Sequence, residues 1–406
     1  MQNSIRLRLS SLMFLEYFIW GSWYVTMGTY LFTNFKADAI QVGSSYANLS
    51  IAAIISPFFV GLIADRFFAA QKVLGVLHLM GAITLFYIST LGDFNSFWWL
   101  ILLYTLLYMP TMALANSISF SQLKDPGKEF PSIRVFGTVG WIVAGLVISF
   151  LGVESSALTF RIAAGSSLLL GLLSFFLPDT PAKKNTSNSL SSILGLDALV
   201  LFKDRSFAVF FISSIAICIP LSFYYSFTNS FLNDIGVSNT AGKMTLGQAS
   251  EFFFMLAIPF FFSRLGVKKM LIIGIAAWIL RYLLFAYGNV GSNMWMLYAG
   301  IILHGICYDF FFVTGQIYTD AKAGAAVKNA AQGLITFATY GVGMLIGSYV
   351  SGFITESYAI IVNNETNYQW EQVWLMPAMI AGFVLITFAI LFKDRLKTTD
   401  SIILKK

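Results

Sequence analysis

Five ionisable side chains lie inside stretches of sequence that are otherwise apolar. They are Glu16, Arg134, Glu251, Arg281 and Asp309. A charge at the centre of a bilayer costs about 2.5–3.5 kcal/mol even on lenient insertion scales, so each group needs a partner or a water-filled cavity. Two cations can pair with two of the three carboxylates, which leaves one acid able to load a proton near neutral pH. The set indicates a proton-coupled carrier; the alternative is a structural network that holds helices together.

Polar and aromatic side chains share helix faces with these charges. Arg134, Thr138 and Trp141 follow an i, i+4, i+7 pattern on one predicted span. The other stripes are Gln248 with Glu251, His304 and Tyr308 beside Asp309, and Ser222 with Tyr225 and Asn229. Stripes that converge between two halves form the substrate site of many carriers. Flat aromatic faces with amide, hydroxyl and balanced ionic groups suit a neutral ribosylated base or a sugar.

The elements that must position these residues are membrane-spanning helices. The chain of 406 residues is 57% hydrophobic and 11% charged, whereas soluble domains carry about 25% charge. We predict an all-α integral membrane protein with twelve transmembrane helices in two pseudo-symmetric six-helix bundles. The predicted spans lie near 9–33, 40–64, 72–92, 96–120, 132–152, 158–177, 206–232, 242–263, 268–288, 292–317, 326–353 and 370–392. The first is too long for a signal-peptide core and lacks a cleavage site, so it is read as a retained helix.

The placement of Lys and Arg predicts the orientation of these spans. With both termini in the cytoplasm, 20 of the 25 basic residues fall on the cytoplasmic side. Those outside are Lys36, Arg161 and Lys243, and two more belong to helices. The net charge of +6 therefore reflects topology and not an affinity for nucleic acid. The expected location is a bacterial inner membrane.

A polar break divides the chain into two halves. We predict an N-terminal six-helix bundle at 1–180, a cytoplasmic linker with an interfacial helix at 181–205, and a C-terminal six-helix bundle at 206–406. Equivalent connections support the division, since Pro57-Phe-Phe leads to Asp65-Arg66 and Pro259-Phe-Phe leads to Arg264 and a pair of lysines.

The first of these connections resembles a known motif. Gly61-Leu-Ile-Ala-Asp65-Arg66, followed by Lys72, is similar to the loop-two motif of the major facilitator superfamily. The resemblance implies that Asp65 and Arg66 belong to a conformational latch on the cytoplasmic side. The alternative is an ordinary cytoplasmic loop that obeys the positive-inside rule.

Further segments resemble the nucleoside:proton symporter family of that superfamily (NupG-like carriers), and its YegT-like branch most closely. They include Trp20-Gly-Ser-Trp23, Tyr108-Met-Pro-Thr111, Pro131-Ser-Ile-Arg134-Val-Phe-Gly-Thr138, Arg281-Tyr-Leu-Leu-Phe and Ala331-Gln-Gly333. The resemblance implies that nucleosides are imported by proton symport through alternating access. It assigns Arg134, Thr138, Gln248 and Glu251 to the substrate site, and Glu251 and Asp309 to proton coupling, with Glu16 a further candidate.

Five predicted substrate-binding residues depart from the pattern of this family. They are Trp141, Ser222, Tyr225, His304 and Tyr308. The charged residues Arg134, Glu251 and Asp309 are retained, while the residues expected to contact the nucleobase differ. A particular nucleoside, or a related neutral glycoside, is therefore left open.

An enzyme is a rival reading, because His304 and Asp309 match the His-x4-Asp pattern of some acyltransferases. The pattern is weak and lies within an apolar span.

The other histidine, His78, is expected to be a helix-packing residue. Cys218 and Cys307 show no metal-binding spacing, and no metal or cofactor is expected. The expected partners are a nucleoside, protons and the lipid bilayer, with a monomer as the default state.

Overall fold

The computed structural model describes residues 3–59, 68–181 and 196–393, and they are mostly helical. The helices of the first half are α1 Asn3–Trp23, α2 Met27–Phe35, α3 Ala39–Phe59, α4 Ala70–Ile88, α5 Phe94–Gln122, α6 Pro126–Glu129, α7 Pro131–Phe150 and α8 Leu158–Ser174. The elements of the second half are the 3₁₀ helix Leu196–Lys203, α9 Arg205–Asp234, α10 Thr240–Tyr287, α11 Met294–Ile302, α12 His304–Tyr308, a π-helical turn Asp309–Val313, α13 Thr314–Thr336, a π-helical turn Phe337–Gly343, α14 Met344–Ser357, β1 Ala359–Val362, β2 Glu365–Tyr368 and α15 Trp370–Leu391.

Each predicted span corresponds to a helical segment within these ranges. Nine helices of the described residues are long and apolar enough to cross a membrane, and the shorter Leu158–Ser174 is also apolar. One of the nine, α10, contains two predicted spans, because Gly266 adopts φ +68 and interrupts the helix between them. The first predicted span is formed by α1 and α2. The prediction of a multi-pass helical membrane protein is confirmed.

The chain packs as two compact units. The first contains Met1–Ser187 and Tyr225–Thr245, and the second contains Asn188–Tyr224 and Leu246–Lys406. The segment Tyr225–Thr245, which lies beyond the polar break in sequence, thus packs with the first half. The domain limits derived from sequence stay a prediction, and Asp65 and Arg66 lie outside the described residues.

Tyr46 of α3 stabilises the break between α1 and α2 in the first unit. Its hydroxyl accepts a hydrogen bond from the Gly28 amide at 3.1 Å and donates one to the Tyr24 carbonyl at 2.8 Å. The interruption leaves backbone groups without helical partners, and in an apolar environment these must be satisfied by protein. The Tyr46 hydroxyl supplies both a donor and an acceptor, so the chain can change direction inside the unit.

Helices α1 and α7 approach so closely that a side chain would not fit between them. A Cβ atom at Gly140 would lie 2.2 Å from the carbonyl oxygen of Phe14. Small residues at such contacts allow backbones to pack by dispersion forces, which replace the hydrophobic effect inside a membrane. This contact fixes α7 against α1 and so positions the side chains that both helices direct into the unit.

A buried carboxylate holds the segment Tyr225–Thr245 in the first unit. Glu154, between α7 and α8, is 8% exposed. One of its oxygens accepts hydrogen bonds from the Asn229 and Asn233 side-chain amides at 3.0 and 3.1 Å, and the other accepts from the Ala241 backbone amide at 2.9 Å. The last bond also satisfies a free amide at the start of α10, where a negative charge is favourable. We call this group the Glu154 clamp.

The second unit contains a short linker helix and a terminal hairpin. Ala198 of the 3₁₀ helix is fully buried against Ala331 and Leu334, so the predicted helix in the linker exists, while its place at the membrane interface stays a prediction. The strands β1 and β2 pair antiparallel. Asn363 and Asn364, which connect them, adopt positive φ angles, as a type I′ hairpin turn requires.

We expect Glu154→Gln to loosen Tyr225–Thr245, because an NH₂ group would then face hydrogen-bond donors. Losing one or two charge-assisted bonds costs about 1–3 kcal/mol, so amide exchange in this segment should rise roughly tenfold or more. Hydrogen–deuterium exchange measures this, with α4 as internal reference. The control is Glu129→Gln, a carboxylate that bonds within its own turn. Unchanged protection of 225–245 would contradict the clamp.

Candidate functional site

An aromatic wall in the first unit contains two of the predicted substrate-binding residues. Trp141 of α7 packs against Trp20 of α1 with ring centroids 5.1 Å apart. Tyr24 lies between Trp141 and Tyr225, at 6.3 and 5.6 Å. Trp141 and Tyr225 are partly exposed, so their rings can contact a bound molecule. The residues Trp20, Tyr24, Trp141 and Tyr225 are called the aromatic wall below.

Arg134 lies next to this wall, one turn of α7 before Thr138. Its guanidinium carbon is 4.1 Å from the centre of the Tyr17 ring. Sequence reasoning expected Arg134 to pair with an acid, whereas the geometry gives it an aromatic partner. A cation over a ring face is stabilised by the ring quadrupole and keeps its hydrogen-bond donors available. Arg134 and Thr138 are both partly exposed, as a substrate contact requires.

Glu16 is fully buried and bonded on both oxygens. One oxygen accepts from the Thr111 hydroxyl at 2.6 Å, and the other lies 2.9 Å from Nε2 of His78. His78 Nδ1 is 3.1 Å from the Ser167 hydroxyl. The expectation that His78 only packs helices is therefore too simple, since its ring contacts both Glu16 and Ser167 through its nitrogens.

The second unit contains a cluster around a fully buried arginine. The Arg281 guanidinium carbon is 3.4 Å from the centre of the Tyr224 ring, and Nη1 is 3.0 Å from Nδ1 of His304. The His304 ring stacks on Tyr224 at 4.9 Å, and its Nε2 is 3.8 Å from a carboxylate oxygen of Glu251. Glu251 is 23% exposed on its side chain, so the acid is the accessible end of a buried chain of polar contacts. We call Arg281, His304, Tyr224 and Glu251 the Arg281 cluster.

Asp309 is a buried acid whose carboxylate has no hydrogen-bond partner among the described residues. Its side chain is fully buried, and neither carboxylate oxygen has a partner there. It begins the π-helical turn Asp309–Val313, and such turns occur frequently at functional sites. An ionised carboxylate in apolar surroundings without a partner is costly, and taking up a proton removes that cost. Sequence reasoning predicted one surplus acid, and Asp309 has the properties of that acid.

The other predicted residues differ in how they are placed. Tyr308 is partly exposed, and its hydroxyl bonds to that of Tyr340. Gln248 is also partly exposed on α10. Ser222 is fully buried, and its hydroxyl donates to the Cys218 carbonyl at 2.9 Å in the contact with α14. A substrate role for Ser222 therefore stays a prediction without geometric support.

The stripe predicted on α9 does not act as one face. Ser222 and Tyr225 pack in different units, while Asn229 belongs to the Glu154 clamp and accepts from the Thr29 hydroxyl at 2.6 Å. Sequence reasoning missed Tyr17, Tyr224 and Tyr340, because 18 tyrosines in an aromatic-rich chain give no reason to select them. For Tyr224 the available signal was its place beside Tyr225, just past Pro220.

Spanning helices in two units that bury ionisable groups are the architecture expected of a secondary transporter of the major facilitator type. The chain belongs to the nucleoside H+ symporter family, whose model matches residues 2–397. It is a membrane transporter and not an enzyme, so the acyltransferase reading is excluded. Consistent with this, His304 binds Arg281 and is not oriented by Asp309.

Similar proteins cover nearly the whole chain. YegT of Escherichia coli (strain K12) is 44% identical over 399 residues, which are 95% of this chain and 93% of that protein. The xanthosine permease of the same strain is 37% identical over 406 residues, covering 96% of each. The crystal structure of the nucleoside transporter NupG matches with a TM-score of 0.89 at 36% identity, over 97% of this chain and 100% of that chain. The predicted family and the twelve-helix fold are confirmed.

We expect Arg281→Lys to lower the apparent melting temperature in detergent more than Arg264→Lys. Both arginines lie over an aromatic ring, at 3.4 and 3.6 Å, but Arg281 is fully buried and Arg264 is exposed. A desolvated contact of this kind is worth about 2 kcal/mol, and an exposed one about 0.5–1 kcal/mol. Lys also lacks the planar fork that bonds His304. Equal shifts in scanning fluorimetry would contradict the importance of the cluster.

Proposed function

We propose that this protein imports nucleosides by proton symport through alternating access. Family membership supports the class of reaction, and relatives described as a xanthosine permease and a nucleoside transporter support the substrate class. The observation that carries proton coupling is the fully buried Asp309, whose carboxylate oxygens have no hydrogen-bond partner among the described residues. A group in this state is held at low cost only when it carries a proton.

In this proposal the polar residues contact the ribose and the aromatic residues contact the base. Arg134 and Thr138 in the first unit, and Gln248 and Glu251 in the second, are partly exposed and offer donors and acceptors for hydroxyl groups. Trp141, Tyr225 and Tyr308 offer ring faces for a heterocycle. His304 is fully buried, so it acts by holding Glu251 and Arg281 in position.

In this proposal Glu251 and Asp309 have different roles in proton coupling. The Glu251 side chain is 23% exposed, so it can exchange a proton with water and with substrate-linked groups. Asp309 is fully buried in the same unit, and its negative charge would repel that of Glu251. Two acids that repel when both are ionised favour a shared proton, which makes protonation sensitive to a substrate that bonds Glu251.

The proposed location is the bacterial inner membrane, with both termini in the cytoplasm and a monomer as the functional form. The distribution of Lys and Arg supports this orientation. The alternative substrate is another neutral sugar-like solute. A thermal-shift screen of nucleosides against simple sugars separates these, because only a ligand of the folded state raises its apparent stability.

We expect Glu251→Gln to abolish gradient-driven accumulation and to retain exchange. In proteoliposomes with an inward proton gradient, uptake of labelled nucleoside should fall to the level without a gradient, while counterflow continues. The amide keeps size and polarity but cannot carry the coupled proton. Asp309→Asn is measured in parallel, and Glu365→Gln in the exposed β2 strand is the matched control. Normal accumulation by Glu251→Gln would disprove its role as the coupling acid.

We also expect Arg134→Lys to weaken nucleoside binding by about 1–3 kcal/mol, or roughly 5- to 150-fold in Kd. Lys keeps the charge but cannot form two parallel hydrogen bonds from a planar group. Equilibrium binding of a labelled nucleoside measures the effect, and Arg161→Lys on α8, which bonds Ser89 instead, is the control. Wild-type affinity would argue against a bidentate contact with the sugar.

A C-terminal reporter tests the orientation. We expect green fluorescent protein fused after Lys406 to fluoresce and alkaline phosphatase at the same place to be inactive, because the first folds in the cytoplasm and the second outside it. The reverse result would overturn the proposed topology.

A further inference from the structure

A groove on the surface of the first unit lies outside the candidate site. It has a volume of about 720 Å³ and is formed by α1, α7 and α8, of which α1 packs against both of the others. Most of its lining is apolar, and the polar side chains are confined to the part formed by the first turns of α1. The lining includes Arg6, Ser10, Ser11 and Phe14 of α1, Phe136 of α7 and Leu169 of α8.

The groove occupies the outer face of α1. Arg6, Ser10 and Phe14 follow one another at intervals of four residues, so they share one face of the helix. By contrast, Leu9 and Met13 on the other side of α1 are fully buried inside the unit. The side chains that α7 and α8 contribute to the groove are all exposed large hydrophobic residues. Lipid chains are as apolar as leucine, so such a surface on spanning helices is in contact with the bilayer.

Arg6 is an exposed cation at one end of the groove. Within the part of the chain that the structure describes, it has no ion pair, hydrogen bond or aromatic partner. Arg8, two residues later, differs because its Nη1 donates to the Phe176 carbonyl at 2.7 Å. The donors of the Arg6 guanidinium are therefore not engaged by the described residues, and their planar fork suits a phosphate group.

Ser10 places a buried hydroxyl one helical turn after Arg6. The residue is 7% exposed, and its hydroxyl forms no hydrogen bond with another described residue. Ser22 of the same helix, in contrast, donates to the carbonyl of the preceding turn at 2.7 Å. A hydroxyl buried among apolar groups without a partner is unfavourable, and acceptor oxygens of a ligand would remove that cost. Ser10 and Arg6 together therefore form an end of the groove that suits an anion.

We propose that the groove binds an anionic glycerophospholipid. Its phosphate would lie at Arg6 and Ser10, and an acyl chain would follow Phe14, Phe136 and Leu169. The groups of such a lipid occur in the same order as those of the groove, with an anion at one end and hydrocarbon beyond it. Arg6 and Phe14 are separated by about 12 Å along α1, close to the hydrocarbon depth of one leaflet, about 15 Å. A basic pocket between spanning helices is a typical site for an anionic headgroup.

The apolar part of the groove selects a lipid over a soluble anion, since a free phosphate would leave that part uncovered. A bound chain would contact α1 and α7 beside their closest approach, because the Phe14 carbonyl is the group that excludes a side chain at Gly140. The lipid therefore supports the packing of α7, the helix that carries Arg134. The proposal depends on the membrane location of these helices and not on the identity of the transported substrate.

Native mass spectrometry of the full chain in detergent tests the anionic end, with phosphatidylglycerol and phosphatidylcholine of identical acyl chains as probes. We expect phosphatidylglycerol to bind at least about fivefold more tightly, because one arginine near a membrane surface contributes about that factor. Arg6→Gln should remove this preference, while Lys128→Gln, which deletes a charge on an 87% exposed side chain, should keep it. Equal binding of the two lipids by wild type, or equal losses in the two variants, would overturn the proposal.

Two adjacent leucines of α8 test the apolar part. Leu169 lines the groove and Leu168 does not, although they are 49% and 48% exposed. We expect Leu169→Trp to fill the groove and to weaken binding of both lipids, by about fourfold for each methylene group displaced. Leu168→Trp should bind as wild type does, and equal effects of the two substitutions would place the lipid elsewhere. A wild-type dimer that Leu169→Trp dissociates would assign the groove to a second copy of the chain and overturn the lipid site.

Discussion

The cost of a charge in an apolar medium is the constraint on which the rest of this structure depends. The ionisable groups inside the units are stabilised by several kinds of partner. Glu16 is matched by an imidazole, Arg134 and Arg281 lie over tyrosine rings, and Glu154 binds three amide donors. Because these partners come from several helices, the polar groups determine which helices pack together. Apolar residues fill the space between them and have no comparable selectivity, since lipid and protein interiors are similarly apolar.

Two helix interruptions lie next to polar groups of this kind. The break at Tyr24 to Thr26 brings α1 and α2 to Tyr46, and the π-helical turn at Asp309 comes directly after α12, the short helix that carries His304 into the Arg281 cluster. A regular helix would repeat its faces every 3.6 residues, so an extra residue in one turn shifts the later side chains to another face. The π-helical turn thus allows one predicted span to contain both His304, which packs on Tyr224, and the buried acid Asp309.

Apolar runs were enough to predict the spans, because bilayer thickness requires about 20 consecutive apolar residues. The five ionisable residues within apolar runs were equally visible, since a charge is conspicuous in an apolar segment. Their partners were not. Arg134 and Arg281 were expected to pair with acids, but a tyrosine face serves a buried guanidinium as well, and sequence cannot distinguish that ring from the many others. Likewise, nothing local indicated that Glu154 would collect Asn229 and Asn233, because this contact spans 75 residues or more.

The two units treat their buried acids in opposite ways, and this difference supports a division of roles. In the first unit Glu16 has a partner for each oxygen, so any change in its proton content disturbs bonds to three other helices. In the second unit Asp309 has no such partner among the described residues, so a proton can enter or leave with few bonds to rearrange. Small reorganisation suits an acid that is protonated and deprotonated in every cycle. Bonds to several helices suit an acid with a structural role. The fully bonded Glu16 is therefore proposed to hold helices together, and the unbonded Asp309 to carry the transported proton.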